Sequence, residues 1–413
     1  MAVTLLAPAG SFESLNAALN NGADAVYFGV GKLNMRSRGA VNFSLEDLPE
    51  IIKLCRARGA KGWMTLNTVV FDGEIEEVKK LCQAAKQAGV DAVIASDMAV
   101  IMAARAQGLP VHLSVQANIA NLEAVRFYAA FADVMVLARE LSLEKIARIC
   151  RGIEEEKITG PSGELVKIEV FIHGALCVAV SGKCYMSLAV FNSSANRGDC
   201  YQVCRRAYTV KDSVLGNELE IENNYVMSPK DICTVGAIGR ILEAGVKVLK
   251  IEGRGRSADY AASVTAVYRE AVDLHEKGLT PSQEELFCWQ KRLEGVFNRG
   301  FWEGGYYLGE ESSMWAQGAD NKASRVKVLC GKVTNYYRKA GIAEVLLSAN
   351  EVCKGDEFLI TGPSTGAVEG TLETFRAGDE DKEKALKGET ITFPYKECVR
   401  KNDTFFILQE RKI

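Results

Sequence analysis

The chain has 413 residues, 48% of them apolar and 25% charged, and a formal net charge of −3. This is the balance of a globular protein of two or three domains, and it excludes a surface coated throughout with basic groups, though not a local basic patch. No uninterrupted apolar run is long enough to span a bilayer. The N-terminus carries no positively charged signal region, so a cytoplasmic location and no membrane partner are expected.

One unit repeats along the first two-thirds. An amphipathic stretch closes at a glycine or short loop, and a short apolar run follows. The junctions are Gly22-Ala-Asp-Ala-Val26, Gly59-Ala-Lys-Gly-Trp63, Gly89-Val-Asp-Ala-Val93, Gly108-Leu-Pro-Val111 and Gly245-Val-Lys-Val-Leu249, with Phe131-Ala-Asp-Val-Met135 a version lacking glycine. Glycine past a helix end supplies a left-handed cap, and the apolar run reads as a strand buried on both faces. Eight strands are predicted near 3–8, 25–30, 62–67, 92–97, 111–116, 134–138, 167–173 and 248–252. The stretches between have helical periodicity; Ser11, for example, caps a run with Leu15, Ala18 and Leu19 on one face. The fold class expected is α/β, a closed (β/α)8 TIM-like barrel. An open doubly wound sheet is the alternative, but Pro8-Ala-Gly10 is not its phosphate-binding turn.

Such barrels work at the C-terminal ends of their strands. Polar residues predicted there are Asn67 after strand three, Asp97 after four, Gln116 and Asn118 after five, Arg139 and Glu140 after six, His173 after seven, and Glu252, Arg254 and Arg256 after eight. Any one alone reads as a cap or a solvated loop residue; their convergence points to a site. Arg36 and Arg38, with Arg254 and Arg256, stand at loop ends where guanidinium forks hold carboxylate or phosphate. His173 suits proton transfer or anion binding.

Between strands seven and eight lies a long insertion, 174–247, with Cys177, Cys184, Cys200, Cys204 and Cys233 spaced C-x6-C-x15-C-x3-C and then a fifth. Isolated cysteines such as Cys55, Cys82 and Cys150 read as small buried hydrophobes. Five crowded together in a reducing compartment point instead to metal. Zinc favours paired hooks, and only Cys200-x3-Cys204 is one. The irregular spacing suits a four-thiolate iron–sulfur cluster, leaving open which of the five ligate. Lys183, Arg197, Arg205, Arg206 and Lys211 surround these cysteines with Asp199 as the one carboxylate between 183 and 211, which reads either as a solvated loop or as a phosphate-contacting rim. The barrel with its insertion is expected over 1–278. A linker with Pro281, Phe301-Trp302 and Tyr306-Tyr307 follows over 279–322. A small all-β barrel over 323–413 is read from alternating runs such as Thr404-Phe-Phe-Ile-Leu.

These motifs resemble the U32 family, known as peptidases, and within it the prephenate-dependent tRNA uridine hydroxylases. The segments carrying the resemblance include Leu5-Leu-Ala-Pro-Ala-Gly10, Leu113-Ser-Val-Gln-Ala-Asn118, Val170-Phe-Ile-His-Gly-Ala-Leu-Cys177, Ser181-Gly-Lys-Cys184, Ala195-Asn-Arg-Gly-Asp-Cys200, Ser228-Pro-Lys-Asp-Ile-Cys233 and Leu249-Lys-Ile-Glu-Gly-Arg254. The resemblance implies a [4Fe–4S] cluster, prephenate as hydroxyl donor, tRNA as partner, and O2-independent conversion of the wobble uridine to 5-hydroxyuridine. Related members hydroxylate rRNA or a quinone precursor. Cys177, Cys184 and Cys200 are then the shared ligands, and either Cys204 or Cys233 is the fourth. His173, Glu252 and Arg254 are the catalytic candidates. Arg36, Arg38, Asn67, Gln116, Asn118, Arg139 and Arg256 are the substrate-binding ones. A collagenase-like peptidase is the alternative activity. Against it, the chain has no His-Glu-x-x-His, no Gly-x-Ser-x-Gly, and no Cys–His pairing beyond His173 with a clustered cysteine.

Overall fold

The computed structural model describes residues 3–211, 213–214, 218–219, 225, 227–302, 315–316 and 321–411. The Tyr306-Tyr307 pair lies outside the described residues. Eight parallel strands form the barrel: β1 (Thr4–Ala9), β2 (Ala25–Gly29), β3 (Lys61–Leu66), β4 (Ala92–Ala95), β5 (Val111–Leu113), β6 (Val134–Val136), β7 (Lys167–Ala175) and β8 (Val248–Ile251). Each pairs with the next in the chain, β8 pairs with β1, and a ladder between β7 and β8 closes the ring. These are the eight strands read from the repeat.

The local chemistry explains the repeat. Helix α1 (Phe12–Asn20) starts at a capping box in which Ser11 and Ser14 satisfy each other's backbone N–H groups. Helix α3 (Ile75–Ala88), which follows α2 (Leu48–Ala57), stops at Gly89, whose φ of +77° a side chain would strain. Helices α4 (Met98–Ala106), α5 (Leu122–Ala129), α6 (Leu143–Glu155), α7 (Ile238–Glu243) and α8 (Ala258–Glu276) complete the outer layer. The main core lies between strands and helices and includes Leu5, Val26, Ile51, Val93, Leu113, Ile172, Leu249 and Val264.

The barrel interior is more polar. Tyr27 and Trp63 pack there with Leu6 and Ile94, and His112 meets the Trp63 ring edge-on at 4.2 Å. Lys250 Nζ donates to Glu169 Oε1 at 2.6 Å, with both side chains 5% exposed or less.

The insertion after β7 is built of short turns and the helical segment Met186–Phe191. It returns through the strand Asp231–Cys233, which pairs antiparallel with the end of β7 and parallel with Phe301–Trp302. Beyond α9 (Gln283–Glu294), the C-terminal module is an eight-stranded antiparallel sheet with a separate core around Phe358, Phe393 and Phe405. It docks on α1 and α8: Asn16 Nδ2 donates to the Pro363 carbonyl at 2.8 Å, and Lys327 pairs with Asp259 at 2.8 Å. Among the described residues no helix is long and apolar enough to cross a membrane.

Candidate functional site

A cavity of about 420 Å³ opens over the C-terminal end of the barrel. Strand ends supply Gln116, Arg139, Glu140 and Glu252, the loop after β2 supplies Arg36, and the insertion forms the roof. Four cysteines line it: Cys177, Cys184, Cys200 and Cys204. They are exposed or partly exposed, whereas Cys55, Cys82 and Cys150 are buried as expected for packing residues. Burial pushes the Cys204 thiol up to about 11, and the neighbouring Cys177, Cys200 and Cys184 add to the shift while Arg205 opposes it. Cys204 therefore lies within electrostatic reach of the other three.

Cys233 stands apart and does not line the cavity. Its strand pairs with β7 so that Cys233 lies opposite His173, its sulfur is 3.9 Å from the Tyr268 hydroxyl on α8, and it packs in the main core. Among the described residues, no three His, Cys, Asp or Glu side chains come close enough to share a single metal ion. Zinc bonds of about 2.3 Å would need such convergence. A four-iron cluster carries its thiolates on separate irons, and four cysteines on one cavity wall match the number it takes.

The remaining wall is rich in guanidinium groups. Arg36 donates to Glu252 Oε1 from Nη2 at 2.8 Å and from Nε at 3.2 Å. Burial works against the Glu252 carboxylate, but the Arg36 and Arg256 charges and the Arg36 hydrogen bonds outweigh it, so its pKa falls below the ordinary value. Arg139 donates to the Ala175 carbonyl at 3.3 Å and lies over the Phe171 ring. Arg205 donates to the carbonyls of Leu176 and Pro229 and to Ser228 Oγ, tying the two ends of the insertion to its middle. Arg256 and Arg299 lie over the Phe297 ring and reach buried Asp231 at 3.9 and 3.5 Å. Arg205 also acts electrostatically on Asp231. Three cations thus gather round one carboxylate, an excess suited to an anionic ligand.

Of the predicted site residues, Arg36, Gln116, Arg139, Arg256 and Glu252 reach the cavity. Three others organise its surroundings. Asn67 accepts from the Met35 backbone N–H at 3.2 Å, fixing the loop that carries Arg36, and donates to Ser114 Oγ at 3.0 Å. Asn118 is in the left-handed conformation and accepts from Ser181 Oγ at 2.7 Å, tying the insertion to the end of β5. Arg38 lies outside the cavity, with its guanidinium 4.0 Å from the centre of the Tyr201 ring.

Two of the catalytic candidates lie outside the cavity. His173 does not line the cavity; it sits among Tyr260, Tyr268 and Phe301, with Nδ1 3.3 Å from the Tyr268 hydroxyl. The β7–β8 register shifts between Lys250 and Ile251, so Phe171 pairs with Lys250 but His173, rather than Ile172, pairs with Ile251. That bulge turns His173 from the barrel axis towards the helix layer. Burial, with a smaller contribution from Arg256, lowers its pKa to about 3, which keeps the ring neutral. Arg254 turns inward instead: Nη1 donates to Thr65 Oγ1 at 2.8 Å, in space open because Gly29 has no side chain. A Cβ at Gly29 would lie 2.3 Å from that nitrogen.

Arg299 and Trp302 were not foreseen as cavity residues. They arrive from beyond α9 through the Phe301–Trp302 strand, and nothing in their local sequence marks them. Arg205 and Glu140 were visible only as a loop cation and a strand-end carboxylate.

A family model described as "Peptidase family U32" matches residues 10–317. The chain is 48% identical over 408 residues to a Porphyromonas gingivalis protein named collagenase, covering 99% of this chain and 98% of that one. It is 33% identical over 392 residues to the tRNA hydroxylation protein P1 of Bacillus subtilis, covering 91% and 87%. It is 38% identical over 278 residues to an Escherichia coli 23S rRNA 5-hydroxycytidine synthase, covering 66% of this chain and 40% of that one.

Proposed function

We propose that this chain, which belongs to peptidase family U32, hydroxylates RNA without O2, converting a tRNA wobble uridine to 5-hydroxyuridine with prephenate as hydroxyl donor. The observation that carries this reading is the set of four cysteines facing an arginine-rich cavity at the barrel mouth. Cys177, Cys184, Cys200 and Cys204 would hold a [4Fe–4S] cluster. When bound, that group supplies electron transfer or an open iron site at the wall. The names of the RNA-hydroxylating relatives support RNA as the substrate class.

The chain's own groups have distinct tasks. Arg205, Arg256 and Arg299 hold the carboxylates of the donor. The target base leaves its stack to enter between them and Glu252, as for other enzymes that act on a base. Arg36 occupies Glu252 Oε1 and keeps the carboxylate ionised. Oε2 is then the acceptor for the proton leaving uracil C5 as the C5–O bond forms. The donor's C–O bond breaks as the C5–O bond forms; the donor carbon keeps the electron pair and takes up the proton held by Glu252, so the base is oxidised and the donor reduced by the same two electrons. The insertion excludes bulk water from above.

Mass spectrometry of tRNA nucleosides tests the assignment. In a deletion strain the 5-hydroxyuridine signal is expected to fall, to return with the intact gene, and to depend on prephenate supply. An unchanged signal would reject tRNA hydroxylation by this chain.

The name of the 48% identical relative motivates a second reading, collagen hydrolysis. Against it, His173, the one histidine that pairs with a clustered cysteine, does not face solvent. His173 is buried against Tyr268, and Cys233 faces the same hydroxyl. Gelatin hydrolysis by the purified chain that is lost in the Cys177→Ala variant would favour that reading.

A further inference from the structure

Beside the cavity, rings and guanidinium groups form one column. The Arg206 Cζ is 4.8 Å from the Phe191 ring centre. Phe191 and Tyr201 stack at 4.6 Å with an interplanar angle of 25°. Arg38, from the loop after β2, closes the column 4.0 Å from the Tyr201 ring. The column joins the roof to a barrel loop and stands next to the thiols, since Tyr201 follows Cys200.

The surface around the column is unusual for a chain of net negative charge. Tyr185, which follows Cys184, is 74% exposed, and Val180 and Val190 are more than half exposed. Lys183, Arg38 and Arg206 are exposed, and none is in an ion pair among the described residues. Arg197, by contrast, is already paired with Glu74. Exposed rings interleaved with unpaired cations fit a ligand that presents flat apolar faces and a polyanionic backbone together. Single-stranded nucleic acid has both, and its bases stack on aromatic rings whatever their identity.

We propose that this rim, centred on Tyr185, Lys183, Arg206 and the Phe191–Tyr201 stack, is a docking platform for the single-stranded loop of the RNA substrate. One base stacks on Tyr185, phosphates run past Lys183 and Arg206, and a neighbouring nucleotide is left free to enter the cavity. A protein ligand is disfavoured because, among the described residues, the stretch 183–206 is a short helix and turns and contains no strand edge to extend. The proposal rests on the RNA-substrate reading above and adds the surface that holds the RNA.

The test is equilibrium binding of the full chain to a fluorescent RNA stem–loop, a fully paired duplex of the same stem, and a collagen-like peptide. The loop is expected to bind best. Tyr185→Ala is expected to weaken loop binding roughly tenfold or more, with Tyr185→Phe restoring it. Arg206→Gln is expected to weaken binding and to reduce the slope of log affinity against log salt by about 0.7. Thermal melting of each variant reports whether it is folded. Binding by Tyr185→Ala and Arg206→Gln equal to the parent, or a duplex bound as tightly as the loop, would overturn the platform. So would capture of the peptide through Tyr185. Nucleoside analysis keeps the two readings separate. If the folded rim variants bind like the parent while 5-hydroxyuridine still depends on the gene, only the platform fails. If the parent binds no RNA and the modification does not depend on the gene, the RNA reading fails with it.

Discussion

Arg36 and Glu252, which come from opposite ends of the barrel sequence, meet at the cavity wall, with two guanidinium nitrogens at 2.8 and 3.2 Å from one carboxylate oxygen. The pair holds a charged acceptor in a nearly buried place and leaves its second oxygen uncommitted by Arg36. Removing one partner strands the other. Arg36→Ala is expected to destabilise the protein at pH 7 by about 1–3 kcal/mol, less than for a fully buried pair because the Arg36 side chain is 37% exposed. The folded Glu252 pKa is depressed, so the pair's stabilisation is present above the ordinary carboxylate pKa and is lost as pH falls through the folded value. Urea unfolding at neutral and acid pH checks this: the deficit of Arg36→Ala relative to the parent should shrink on acidification, and a constant deficit would count against an ionic pair.

The separation of Cys204 from Cys233 gives an iron-binding prediction. Alanine at Cys177, Cys184, Cys200 or Cys204 is expected to remove most iron, sulfide and visible absorption from anaerobically purified protein. Cys233→Ala should keep them, because its sulfur packs against Tyr268 in the core. Retained iron in Cys204→Ala with loss in Cys233→Ala would reverse the choice.

Two buried histidines give a pH signature of folding. His112 and His173 both have pKa values lowered to about 3, burial being the main cause. The unfolded chain takes up these protons near pH 6.5 while the folded chain does not, so stability falls as pH drops below that value. At pH 5 each group is expected to cost about 2 kcal/mol relative to neutral pH. Phenylalanine at His173 should make the stability profile between pH 6.5 and 5 shallower, measured by chemical unfolding. An identical slope would mean that His173 is charged in the folded protein.

Lys250 and Glu169 form an ion pair inside the barrel, and one Glu169 oxygen has no hydrogen-bond partner. Lys250→Met leaves an isolated carboxylate and is expected to lose about 3–5 kcal/mol. The double variant Lys250→Met with Glu169→Leu should be the milder one. A double variant as unstable as the single would show that shape, not charge, governs this layer.

Much of this molecule is legible along the chain. Ser11 and Gly89 mark helix ends through backbone hydrogen bonds made within a turn, and buried parallel strands need apolar runs, so the eight units could be counted. The crowded cysteines and the polar strand ends marked the mouth for the same local reason. What escaped depends on direction. One extra residue in β7 reverses the face of His173, and Gly29 opens an inward path for Arg254.

The sequence by itself determined the barrel, the place of the insertion and the chemical inventory above the mouth, because hydrophobic period, caps and spacing act over a few residues. Only the tertiary structure decided which members of that inventory share a cavity. Arg299 reaches it from beyond α9, Arg36 meets Glu252 across the closed ring, and Cys233 is drawn away by strand pairing with β7. Those outcomes rest on barrel closure and register, which join residues far apart in the chain, 216 positions for Arg36 and Glu252, and leave no mark in their neighbours along it.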